Sequence, residues 1–134
     1  MSQKVVIDTN VLVSALISTK GNAAIILGMI SDGLLESIYC QGILEEYSEV
    51  LSRPHFGFPY SRVAEALEIF TLHGTPIEPQ QSNTYLVDES DRIFFDAALS
   101  SAATLITGNL KHYPEKPFIK NPAGFLSTLS TLTE

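Results

Sequence analysis

The chain of 134 residues carries fifteen acidic against eight basic side chains, a formal charge of −7, and 45 % hydrophobic residues. The hydrophobic share supports a packed core and excludes disorder, the length suits one domain spanning 1–134, and the acidity argues against a protein that grips nucleic acid by a basic patch. There is no eighteen-residue apolar run to cross a membrane, no apolar signal-peptide stretch behind Met1, and only one cysteine, Cys40, which rules out an internal disulfide; a cytoplasmic protein with no membrane partner is expected.

Val5-Val6-Ile7 reads as a short buried strand that ends abruptly at Asp8-Thr9-Asn10. Ligands bind outside the carboxyl ends of strands in open α/β sheets, so Asp8 is a candidate site residue. A simpler role for it is to cap the following helix, Val11 to about Ser18. Lys20-Gly21-Asn22 breaks the chain, Ala23 to Ile30 reads as a buried helix, and Leu35 to Cys40 as a second strand, with Cys40 packing as a small hydrophobe.

From Gln41 to Arg53, Ile43, Tyr47, Val50 and Leu51 recur at helical spacing and define a core face. Glu45 falls on the wet side. Glu46 borders the apolar stripe, where a carboxylate is costly unless a cation compensates it or its methylenes carry it to solvent. Pro54 ends this helix. His55 to Tyr60 is an aromatic-rich loop with Phe56, Phe58 and Tyr60, suited to packing or to a partner surface. Ser61 to Leu72 is a further amphipathic helix with Val63, Leu67 and Phe70 inward, Thr75 to Pro79 a possible short strand, and Gln80 to Thr84 a polar loop.

Asp88 is a natural N-cap for an apolar helix from Arg92 to Ala102. Asp91, Phe95, Ala98 and Ala102 follow steps of four, three and four, so Asp91 tops the buried stripe and should approach Asp8; helix-dipole compensation alone would not require an inward face. Asp96 lies about 140° round the helix from Asp91 and cannot share its stripe. Thr104 to Thr107 is a third strand, and Gly108-Asn109 at its end repeats the pattern of Asp8. Phe118-Ile119 is a short strand, Asn121-Pro122 a helix start, and Phe125 to Leu132 a closing helix. His55, His73 and His112 are scattered, with no zinc-ligand spacing, and are expected to be structural or at the surface.

Asp8, Glu46, Asp91 and Asn109 would thus converge at one edge of a parallel sheet. Crowded carboxylates resist ionising together, and a divalent cation resolves the repulsion. All-oxygen donors favour Mg²⁺ or Mn²⁺ over zinc. Such an ion serves phosphodiester hydrolysis without a side-chain nucleophile.

The segments Val-Val-Ile-Asp8-Thr-Asn10-Val-Leu-Val-Ser-Ala-Leu, Ile-Leu-Glu-Glu46-Tyr-Ser-Glu-Val-Leu-Ser-Arg-Pro, Asp91-Arg-Ile-Phe-Phe-Asp-Ala-Ala-Leu and Leu-Ile-Thr107-Gly-Asn109-Leu-Lys-His-Tyr-Pro stand in the order of the PIN-domain motifs. The chain resembles PIN-domain toxin components of bacterial toxin–antitoxin systems. The resemblance implies a three-layer α/β/α sandwich around a parallel sheet and Mg²⁺-dependent ribonuclease activity. It implies catalytic and metal-binding roles for Asp8, Glu46 and Asp91, with Asn109 at the family's fourth acidic position and Asn10 and Thr107 in support. An RNA substrate, an antitoxin partner and a homodimer are implied in the same way. Many relatives carry Asp where this chain has Asn109; an amide offers a carbonyl oxygen but no charge, which predicts weakened metal binding.

A response-regulator receiver would need paired acids after the first strand, and a dehalogenase-type phosphatase a second Asp at position 10; Thr9 and Asn10 disfavour both. No P-loop or dinucleotide fingerprint is present. The alternative that remains is a PIN-like module that binds RNA or a protein without cleaving. Substrate choice would fall to groove shape and to a few basic residues such as Arg62, Arg92 and Lys111.

Overall fold

Successive residues of a strand face opposite sides of its sheet, yet Val5, Val6 and Ile7 are 0 %, 0 % and 2 % exposed, so both sides of this strand are covered. Leu105 and Ile106 are likewise buried in succession. The computed structural model that shows this describes residues 3–132; residues 1–2 and 133–134 of the expected domain lie outside the described residues.

The strands are β1 (Gln3–Ile7), β2 (Leu35–Tyr39), β3 (Gly74–Pro76), β4 (Thr104–Ile106) and β5 (Ile119–Lys120). They form one sheet in the order β3-β2-β1-β4-β5, and every neighbouring pair is parallel. Around it among the described residues run α1 (Thr9–Ile17), α2 (Asn22–Ser31), α3 (Gln41–Leu51), α4 (Tyr60–His73), α5 (Arg92–Ser101) and α6 (Pro122–Leu132). This is the expected three-layer α/β/α arrangement. No single helix among the described residues is long and apolar enough to cross a membrane.

Of the stripes that the spacing predicted, Ile43, Tyr47, Leu51, Phe70 and Phe95 are closed to solvent, and Phe94 and Phe125, which no stripe named, are buried with them. Tyr47 packs against Phe70 and Phe94, with ring centroids 4.9 and 6.2 Å away. Cys40 is buried as a small hydrophobe. Some local expectations shift. Ala102 is not part of the buried stripe: it is exposed in a left-handed C-cap at φ 55°, and Ala103 is buried in its place. Asp88 does not cap α5 directly; its Oδ1 accepts Ser90 N–H and caps a 3-10 turn, Glu89–Asp91, that leads into the helix. The strand expected over Thr75–Pro79 begins one residue earlier and stops at Pro76.

β1 is the topological switch point. The chain winds from β1 outward through β2 and β3, then returns to β1's other flank for β4 and β5. Connections therefore leave the carboxyl ends of β1 and β4 in opposite directions, and a crevice opens between them.

Candidate metal and nucleic-acid site

Val5, Val6 and Ile7 lie in register with Thr104, Leu105 and Ile106, which sets Asp8 beside Thr107 just beyond the strand ends. Asp8 N–H bonds Ile106 C=O at 3.0 Å, so its backbone is still tied to the sheet. Its side chain, 5 % exposed, is held on a single oxygen: Oδ2 accepts the Thr107 hydroxyl at 2.8 Å and the Tyr113 hydroxyl at 2.9 Å. Neither donor engages Oδ1. Burial, and then the negative charge of Asp8, push the Tyr113 hydroxyl far above its ordinary pKa, so it stays a donor.

The loop after β4 is held by the same groups. Thr107 Oγ1 also accepts Asn109 N–H at 3.0 Å, and Asn10 Oδ1 accepts Gly108 N–H at 2.7 Å. A Cβ on Gly108 would stand 3.0 Å from Asn10 Oδ1, so the close approach favours glycine. The Asn109 side chain makes no capping bond to the short turn it precedes, Leu110–His112.

Glu46 arrives from α3, which is anchored next door by the buried Tyr47 hydroxyl donating to Ile7 C=O at the end of β1. Burial raises the Tyr47 pKa, with Asp8 adding to the effect. Glu46 is half-buried, and its Oε2 accepts the Thr9 hydroxyl at 3.3 Å. Asp91 comes from the head of α5. Its Oδ2 is buried and accepts no well-formed hydrogen bond; His112 Nδ1 stands 3.4 Å from it. Burial, then the charges of Asp8 and Asp88, raise the Asp91 pKa, and His112 opposes them.

One open cleft of about 490 Å³ is lined by Asp8, Asn10, Glu46, Asp91 and Asn109 together, with Asp88, Arg53, Phe56 and His112 at its margin. A larger groove of about 670 Å³ runs from Leu110 to Ile119, with Glu115 as its one carboxylate. Chemistry singles out the smaller one. His112, its side chain 45 % exposed, keeps the surface position expected of it and also faces Asp91 in the cleft. Arg92 and Arg62, two of the basic residues named for substrate choice, are engaged within the fold. Arg92 is spent on Glu89, Ser82 C=O and Thr84 C=O, and Arg62 on Leu16 C=O and the Phe58 ring. Lys111 remains exposed beside the cleft.

Tyr113, Thr9 and His112 escaped sequence reasoning. Thr9 stood next to Asp8 and could have been found; Tyr113 and His112 gave no periodic signal, because a 3-10 turn carries them in.

The donor set fits a hard divalent cation. Four carboxylates, Asp8, Glu46, Asp88 and Asp91, and the amides of Asn10 and Asn109 line the cleft, and a buried Asp91 oxygen has no well-formed hydrogen bond. Among the described residues no group of three or more His, Cys, Asp or Glu side chains is placed to hold a metal ion as it stands.

The PIN-domain profile matches residues 4–111. An uncharacterized protein of Methanocaldococcus jannaschii is 34 % identical over 110 residues, covering 79 % of this chain and 70 % of that one. The crystal structure of VapBC2 from Rickettsia felis, bound to a DNA fragment from its promoter, superposes with a TM-score of 0.55 at 17 % identity over 81 % of this chain and 90 % of the matched one. The chain belongs to the PIN-domain family.

Proposed function

We propose that this protein is a metal-dependent ribonuclease that hydrolyses RNA phosphodiester bonds. The observation that carries the reading is the gathering of Asp8, Glu46 and Asp91 into one cleft at the switch point, with Asp91 Oδ2 lacking a well-formed hydrogen bond. Asp8, Glu46 and Asp91 would hold Mg²⁺ or Mn²⁺, and Asn109 would add a neutral carbonyl oxygen. When bound, the ion supplies a polarised phosphoryl oxygen and a water of lowered pKa. The protein's own groups orient the cleft. Thr107 and Tyr113 fix the Asp8 carboxylate by its Oδ2, Thr9 steadies Glu46, and Asn10 holds Gly108 so that Asn109 lies at the rim.

Membership of the PIN family and the fold shared with VapBC2 support a toxin role with an antitoxin protein as partner; a homodimer is part of the same proposal. The test is incubation with mixed single-stranded RNAs in Mn²⁺ or in EDTA, beside Asp8→Asn. Cleavage in Mn²⁺ alone, reduced at least about 100-fold in the variant, supports the enzyme, since even outer-shell changes cost 10–100-fold. Equal cleavage by Asp8→Asn would falsify it.

Asn109 favours a second reading, a module that binds RNA or a protein without cutting, because its amide removes one charge from the ligand set. Binding without cleavage across many RNAs supports that reading.

A further inference from the structure

We propose that His112 is a ligand of the cation, through Nδ1 and beside Asp91, and that the cleft therefore favours a first-row transition ion such as Mn²⁺ over Mg²⁺; this rests on the ribonuclease reading of the same cleft. His112 Nδ1 stands 3.4 Å from Asp91 Oδ2, and both side chains line the cleft. A ring nitrogen and a carboxylate oxygen that face one another repel unless positive charge lies between them. A proton on Nδ1 would draw the pair to about 2.7–2.9 Å, the length of a charge-assisted hydrogen bond. The separation here is longer, and Oδ2 accepts no well-formed hydrogen bond. Two ligands held about 2.1 Å from one ion stand about 3.0 Å apart at a right angle and about 3.4 Å apart at the tetrahedral angle. His112 Nδ1 and Asp91 Oδ2 thus have the spacing of neighbouring ligands.

The turn that carries the ring is tied to the site on both sides. His112 N–H bonds Asn109 C=O at 3.0 Å, and Asn109 N–H bonds Thr107 Oγ1 at 3.0 Å. The next residue, Tyr113, donates its hydroxyl to Asp8 Oδ2 at 2.9 Å. Consecutive residues therefore reach two carboxylates of the cleft: Tyr113 gives Asp8 a proton donor, and His112 presents a ring nitrogen to Asp91. Asp88 also lines the cleft, but its Oδ1 is taken by Ser90 N–H and the Ser90 hydroxyl, at 2.9 and 2.8 Å. No three such side chains among the described residues are placed to hold an ion as they stand, so binding requires the site to close. The imidazole, 45 % exposed, has solvent on one side in which to move. Its chemistry sets the choice of ion. Carboxylates suit Mg²⁺ and Mn²⁺ alike, whereas an imidazole suits ions of the first transition row. Asn109 adds no charge that would restore the balance toward Mg²⁺.

The experiment uses the full chain, its histidine rings labelled with ¹⁵N, loaded with Mn²⁺ and read by electron spin echo envelope modulation. Isothermal titration gives the affinities for Mn²⁺ and Mg²⁺, and thermal unfolding in EDTA confirms the fold of every variant. A ring-nitrogen coupling should appear in wild type and vanish in His112→Ala and His112→Glu. Wild type should bind Mn²⁺ at least about a hundredfold tighter than Mg²⁺. His112→Ala should lose about tenfold or more in Mn²⁺ affinity and less than about threefold in Mg²⁺ affinity. A histidine that only pairs with Asp91 competes with the cation, so His112→Ala would then bind both ions more tightly. That result overturns the proposal, as do wild type without nitrogen coupling, coupling that persists in His112→Ala, and failure of wild type to bind Mn²⁺. Nitrogen coupling without cleavage of RNA upholds the ligand and removes the ribonuclease reading; Mn²⁺-dependent cleavage without nitrogen coupling does the reverse.

Discussion

Asp91 and Asp96 are both carboxylates withdrawn from water near the start of one helix, and their surroundings treat them in opposite ways. The Asp96 side chain is 5 % exposed and fully occupied: Oδ1 accepts the Ser82 hydroxyl at 2.6 Å, Oδ2 accepts Ser82 N–H at 3.2 Å, and Arg92 stands 3.8 Å off. Asp91 is 16 % exposed, keeps Oδ2 without a well-formed hydrogen bond, and faces the like charges of Asp8 and Asp88, with His112 Nδ1 3.4 Å from Oδ2. A buried carboxylate with filled lone pairs serves the fold by pinning the 80s loop to α5. One left without a full set of donors beside other carboxylates costs stability. That cost is offset if a cation completes the site.

The largest effect expected from breaking this contrast is at Asp91. Asp91→Asn should reduce Mn²⁺-dependent cleavage by at least about 100-fold, yet raise the unfolding midpoint in EDTA by a few degrees. The sign follows from the raised pKa. Folded Asp91 keeps its proton to a higher pH than the unfolded residue, so metal-free stability falls as pH climbs from the ordinary carboxylate range through that raised value. The fall should vanish in Asp91→Asn. A lowered midpoint in the variant would show that Asp91 is a structural group after all.

Asp96→Ala should do the converse. It leaves the Ser82 N–H and hydroxyl without their acceptor, at about 2 kcal/mol in urea denaturation, while cleavage per folded molecule stays within a few-fold of wild type. Smaller again is Tyr113→Phe. It keeps the ring but removes one of two donors to Asp8 Oδ2, and metal affinity should weaken about tenfold by isothermal titration. The least effect is expected from Asn109→Asp, which adds a charge at the rim and should tighten Mg²⁺ binding a few-fold; unchanged affinity would place position 109 outside the ligand set.

The strands and helices were legible because the hydrophobic period states them. Val5-Val6-Ile7 and the Ile43, Tyr47, Val50 series are buried where the spacing predicts. Asp8, Glu46, Asp91 and Asn109 were legible because each interrupts or ends an apolar run, and the cleft unites them. What stayed hidden depends on partners distant along the chain. Tyr113 reaches Asp8 across a separation of 105 residues, and Thr9 reaches Glu46 across 37. Arg92 looked like a free cation because the loop carbonyls it binds, Ser82 and Thr84, lie in a stretch without periodicity. The Ala102 boundary was lost because only backbone conformation, φ 55°, ends the helix there.

The central claim is that carboxylates from three separate elements share one divalent cation at the switch point. Crystals soaked in Mn²⁺ and measured for anomalous scattering test it most directly. An anomalous peak among Asp8, Glu46 and Asp91 is the predicted result. No peak in that cleft at saturating Mn²⁺, or a peak held by other residues alone, would contradict it.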